Sequence, residues 1–94
     1  MFVVGVGDAG RARALELVRE LRAAGVAADT AFEDRPLKAQ LKMADRASAA
    51  YAAIVGEREL EAATVTLRRL EDGHQEDVAA DALVAKLAGE AAAG

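Results

Sequence analysis

Three short apolar runs alternate with helix-like stretches as far as Val55, and then the chain changes period. Thr64-Val65-Thr66-Leu67-Arg68-Arg69-Leu70 follows a two-residue repeat, and Asp72-Gly73 behind it is a strong hairpin turn signal. This switch is the tightest constraint on the fold. A doubly wound sheet repeats the strand–helix–strand unit to its end, whereas a chain that closes on a hairpin must build a mixed sheet.

The remaining elements follow from apolar spacing and punctuation. Phe2-Val3-Val4-Gly5-Val6 suits a buried parallel strand, and Gly7-Asp8-Ala9-Gly10 turns the chain, with Asp8 a candidate helix cap. Ala14, Leu17, Val18, Leu21 and Ala24 form one stripe of a helix over Arg11–Ala24, which Gly25 ends. Val26–Phe32 reads as a weaker strand. Pro36 stands where a first helical residue would, and Leu37, Leu41 and Ala44 mark the buried side of the next helix. Ala49–Val55 is a third strand, followed by an acidic segment, Glu57–Ala62. Gln75–Val78 is the return strand of the hairpin, and Leu83, Val84 and Leu87 share a face over Asp81–Leu87. The order β-α-β-α-β-β-β-α predicts an α/β domain over residues 1–89 with a five-stranded mixed sheet and helices on both faces. Residues 90–94 are expected to fray.

At 94 residues the chain holds a single domain. Its hydrophobic fraction is 53% but aromatics are only 3%, so the core must be made of small aliphatic side chains. With no cysteine, disulfides and thiolate metal sites are excluded. No apolar run approaches the ~20 residues of a membrane span, and the chain opens on a strand without a charged leader, which fits a domain trimmed at its boundary. A cytoplasmic location is expected. The net charge of −4 argues against duplex DNA as a partner and requires any RNA contact to come from a local patch.

Two motifs suggest ligands. Gly5-Val6-Gly7-Asp8-Ala9-Gly10 fits G-x-G-x-x-G, with Asp29 and Glu33 about 20 residues on. The hairpin replaces the second half of a dinucleotide fold, however, and Asp8 puts a carboxylate where a pyrophosphate should sit. The glycines therefore read as a tight turn and a close helix–strand approach. A stand-alone nucleotide-binding or regulatory domain using Gly5, Gly7 and Gly10 stays as the alternative. Arg35, Lys38, Lys42 and Arg46 step along one side of the second helix. Less Asp45, they leave the 35–46 stretch at +3 while the rest of the chain carries −7. Such a stripe suits phosphate contact, docking on another domain, or plain solvation.

Glu57, Glu59 and Glu61 cluster after the third strand without any nucleophile beside them, His74 has no metal-binding partner, and Tyr51 reads as core. No triad is present. The residues describe a binding module with no catalytic group, metal or cofactor of its own.

Arg35-Pro36-Leu37-Lys38-Ala39-Gln40-Leu41-Lys42-Met43-Ala44-Asp45-Arg46 resembles the second-helix signature of bacterial histidyl-tRNA synthetases. Ala50-Tyr51-Ala52-Ala53-Ile54-Val55-Gly56-Glu57, Glu59, Val65-Thr66-Leu67, Leu70, Gly73 and Gln75 continue the likeness over nearly the whole chain. The resemblance implies the C-terminal anticodon-binding domain of such an enzyme, a three-layer α/β/α fold with sheet order 2-1-3-4-5 and strand 4 antiparallel. It implies an upstream class II catalytic domain, a homodimeric parent, and ligation of histidine to tRNA-His with ATP and magnesium that this domain does not itself bind. By likeness to the related threonyl domain, Glu59 and Arg68 fall at anticodon-contacting positions. A carboxylate there suits the guanines of a GUG anticodon, whose N1–H and N2–H it can accept. Ala62-Ala63 departs from the Asn-Gly-like turn common in the family before the fourth strand.

Overall fold

The apolar runs become strands because each can be covered on both sides. In the computed structural model, which describes residues 1–31 and 33–93 with side chains through Gly89, β1 (Phe2–Gly5) is buried along its length. It is followed by α1 (Gly7–Ala23), β2 (Asp29–Thr30), α2 (Leu37–Arg46), β3 (Tyr51–Val55), α3 (Glu57–Ala62), β4 (Thr64–Arg69), β5 (Gln75–Ala79) and α4 (Ala80–Ala93). The five-stranded sheet runs β2-β1-β3-β4-β5. β1 is parallel to β2 and β3, and β4 is antiparallel to β3 and β5. Among the described residues no helix is long and apolar enough to cross a membrane.

Alternation along the strands divides the core in two. Val3, Val55, Val65 and Leu67 face α1 and α4, where Leu17, Leu21, Leu83 and Leu87 close over them. Phe2, Val4, Ala52 and Ile54 face the other way, toward Ala44 of α2 and Ala31. The second core stops short. Among the described residues α2 packs on β1 and β3 and reaches neither β4 nor β5. On that side the sheet continues as Thr64, Thr66 and Arg68; α2 leaves this β4–β5 half uncovered, while α3 packs on β4 and its Arg58 and Glu59 meet buried Thr66.

Several element boundaries differ from the sequence reading. The acidic segment Glu57–Ala62 is a helix, too short for a periodic pattern, and Ala63 ends it in the left-handed region at φ 54°. The second strand contracts to Asp29–Thr30, because Val26 N–H is spent on the Leu21 carbonyl (2.9 Å) closing α1. Phe32, its expected last residue, lies outside the described residues. Pro36 is extended (φ −58°, ψ 152°) and precedes the helix instead of opening it, so Arg35 is not on α2 at all. The first helix starts at Gly7, which places Asp8 in its first turn and makes Val6 the N-cap. The last helix passes Gly89 and continues to Ala93, as its alanine content favours.

Candidate functional site

The exposed half-sheet is where polar side chains converge. Antiparallel register sets Arg68 opposite Gln75 and Thr66 opposite Asp77, so all four share the face that α2 leaves uncovered, with Thr66 buried beneath α3. Arg68 Nη1 donates to Gln75 Oε1 at 3.0 Å. The Thr66 hydroxyl lies 3.1 Å from Asp77 Oδ1 and 3.4 Å from Glu59 Oε2. Having one proton, it serves one carboxylate at a time.

α3 brings the acidic segment to this face. Glu59 is the third residue of the helix, and its Oε1 accepts the N–H of Gly56 at 2.9 Å, satisfying an otherwise orphaned donor at the helix start. Its Oε2 meets Arg58 Nη2 at 2.8 Å. Glu59 is only 6% exposed, so the carboxylate expected to contact a base has both oxygens engaged by the protein. Glu57 and Glu61 are exposed. Arg58, passed over in the sequence because it is a lone cation among glutamates, is 71% exposed and also faces Asp77 Oδ1 at 3.6 Å. Asp77 was passed over as well; only strand register brings it beside Thr66.

The basic stripe is dispersed by the helix start. Lys38, Lys42 and Arg46 lie exposed on α2, and among the described residues none pairs with a carboxylate. Arg35 sits ahead of the helix and pairs with Glu33 at 2.9 Å. Gln40, within the same signature, is buried (1% exposed) and holds α2 to the end of β1.

The glycine loop has packing reasons for its glycines. A Cβ on Gly5 would come within 2.7 Å of the Arg11 Cα and the Gly10 carbonyl, and one on Gly10 within 2.6 Å of the Val55 carbonyl. Gly7 has φ +77°. A cavity of about 320 Å³ beside the loop is lined by Val6, Gly7, Asp8, Ala9, Gly10, Glu57 and Leu60. Its only charged lining groups are two carboxylates, the wrong sign for a phosphate. Elsewhere Tyr51 packs against the larger core. His74 is exposed, and its N–H donates to Asp72 Oδ1 at 3.0 Å. Among the described residues no group of three or more potential ligands could hold a metal ion.

With this geometry in place, comparison with known proteins decides the family. The family described as the anticodon binding domain matches residues 1–90. The chain belongs to the anticodon binding domain family.

Relatives of this anticodon binding domain are named histidine–tRNA ligases. One from Corynebacterium urealyticum is 48% identical over 84 residues, covering 89% of this chain and 20% of the relative. Another from Halalkalibacterium halodurans is 42% identical over 86 residues, covering 92% of this chain and 20% of the relative. The chain thus spans about a fifth of the length of these proteins. Among solved structures, the apo histidyl-tRNA synthetase of S. aureus superposes with a TM-score of 0.87 at 33% identity, over 93% of this chain and 22% of that one. The RNA binding domain of threonyl-tRNA synthetase from Cryptosporidium parvum gives a TM-score of 0.83 at 21% identity, over 94% of this chain and 22% of that one, a likeness of fold. The mixed α/β sheet in the order 2-1-3-4-5 is the architecture these structures share with the chain.

Proposed function

We propose that this anticodon binding domain reads the anticodon loop of tRNA-His as part of a histidine–tRNA ligase. The observation that carries the reading is the β4–β5 half-sheet that α2 leaves uncovered, where Arg58, Arg68, Gln75 and Asp77 offer donors and acceptors side by side over buried Glu59 and Thr66. Splayed single-stranded bases are recognised by such a surface, and a chain of net charge −4 is poorly suited to bulk attraction of duplex. The names of the relatives supply the amino acid.

Within this reading, Arg68 and the Glu59 neighbourhood form the anticodon site. Lys38, Lys42 and Arg46, with Arg35 ahead of the helix, meet either tRNA backbone or the catalytic domain. Activation of histidine with ATP and magnesium, dimerisation and the catalytic domain belong to the rest of the ligase, working in the cytoplasm, and no residue here is assigned to them. The acidic lining of the cavity beside Gly5, Gly7 and Gly10 gives no support to a nucleotide site.

The test is aminoacylation by the ligase that carries this chain, with tRNA-His transcripts bearing GUG or single anticodon substitutions. The reading requires kcat/KM to fall when either guanine is replaced. Equal use of all transcripts would refute it.

A further inference from the structure

We infer that Arg58 and Asp77 together read a guanine, and that buried Glu59 is the residue that positions Arg58. The inference rests on the anticodon-reading function proposed above and assigns the residues that provide its base specificity.

Arg58 combines exposure with fixation. Its side chain is 71% exposed, yet Nη2 is held by Glu59 Oε2 at 2.8 Å and lies 3.3 Å from the Thr66 hydroxyl oxygen. Glu59 is itself anchored, since its other oxygen accepts the Gly56 N–H at 2.9 Å. All the protein contacts of the guanidinium fall on one nitrogen. Among the described residues Nε and Nη1 meet no acceptor, so N–H donors of a guanidinium held in place through Nη2 remain open to solvent.

Asp77 supplies the complementary half. Its Oδ1 takes the Thr66 hydroxyl at 3.1 Å and faces Arg58 Nη2 at 3.6 Å, while Oδ2 has no hydrogen-bond partner among the described residues. Its side chain is 53% exposed. The open face therefore presents guanidinium donors directly beside a carboxylate acceptor.

That order matches the Watson–Crick edge of guanine. O6 accepts from the guanidinium, and N1–H with N2–H donates to the carboxylate. Adenine and cytosine each turn an amino group toward the guanidinium and a ring acceptor toward the carboxylate. Uracil matches at O4 and N3–H but sets O2 against the carboxylate where guanine has N2–H. Two carboxylates around one arginine also make the pair a poor phosphate site, because a phosphate approaching Arg58 meets Asp77 as well. Glu59 is the less accessible of the two carboxylates, 6% exposed and with both oxygens engaged by the protein, whereas Asp77 is 53% exposed.

The experiment measures kcat/KM of the full-length ligase on tRNA-His transcripts with each anticodon guanine changed singly to adenine or uracil. Arg58→Ala, Asp77→Asn and Arg58→Lys should each reduce the preference for guanine about tenfold, all at the same one anticodon position. Arg58→Lys keeps the charge but loses the planar guanidinium with its fixed N–H directions, so it separates base reading from charge attraction. Glu59→Gln should reduce the same preference, and the Glu59→Gln/Arg58→Ala double variant should lose no more than Arg58→Ala alone, a non-additivity that general destabilisation would not give. A ligase whose Arg58 and Asp77 variants keep the parent's discrimination overturns the inference and leaves the anticodon reading standing. A loss equal across all transcripts overturns it in favour of a backbone contact. A parent enzyme indifferent to the anticodon removes the functional reading on which the pair rests.

Discussion

Gln40 Nε2 lies 2.8 Å from the Gly5 carbonyl oxygen and 2.7 Å from that of Arg35, so a single buried amide ties α2 to the end of β1. The residue is 1% exposed. Gln40→Leu should unfold more easily by about 2 kcal/mol, because it strands a buried carbonyl while only partly replacing the packing. Urea denaturation of the chain measures this. A change below about 0.5 kcal/mol, the range of ordinary surface substitutions, would mean that the tie is dispensable.

Glycines of this chain should divide by what a Cβ would meet. Gly10→Ala drives a methyl to within 2.6 Å of the Val55 carbonyl, a backbone atom that cannot swing aside. A loss of about 1–3 kcal/mol is expected from such overpacking. At Gly89, within α4, the added methyl meets nothing within 4 Å. Gly89→Ala should therefore stabilise by about 0.5–1 kcal/mol through helix propensity. Thermal melts of the two variants shifting in the same direction would contradict this reading of the loop.

The hairpin turn carries a pH signature. Arg69 binds Asp72 through Nε (3.1 Å) and Nη2 (2.8 Å), and this hydrogen bonding, with the His74 N–H, lowers the Asp72 carboxyl to about 2. A depressed folded-state value stabilises the ionised turn above the ordinary carboxylate range near 4, and the contribution disappears as pH falls toward 2. Carbon-detected NMR titration should show Asp72 still ionised at pH 3, and Arg69→Ala should return its midpoint toward the ordinary range. An Asp72 midpoint near 4 in the unsubstituted chain would contradict the bidentate contact.

The α2 cations allow a test of RNA contact. Lys38 and Lys42 are exposed one helical turn apart. If they touch tRNA phosphates, Lys38→Ala/Lys42→Ala should weaken cognate and anticodon-substituted transcripts alike and flatten the log–log salt slope by roughly 0.7 per lost single-strand contact. An unchanged slope assigns this face to docking or to solvent.

The sheet and its hairpin were legible because they rest on local signals: the apolar runs of β1 and β3, the period change at Thr64 and the Asp72-Gly73 turn, while the weaker second run kept only Asp29–Thr30 as strand. The glycine loop was legible in the same way, since Gly5 and Gly10 stand where strand and helix approach closely. α3 was not, because six residues show no helical period and its start is fixed by a side-chain contact between Glu59 and Gly56. Arg35 illustrates a different limit. Charge spacing alone put it on the helix, whereas the extended backbone of Pro36 sets it outside. Arg58 and Asp77 were invisible as a pair, being 19 positions apart and joined only by the register of β4 with β5 and the placement of α3.

The central claim, that the β4–β5 half-sheet is the RNA-reading surface, is tested most directly by titrating the isotope-labelled chain with a tRNA-His anticodon stem-loop. Chemical-shift changes should concentrate at Arg58, Thr66, Arg68, Gln75 and Asp77, and a stem-loop with both anticodon guanines replaced should perturb them less. Shifts confined to the glycine loop or to α1, or identical for the two RNAs, would contradict the claim.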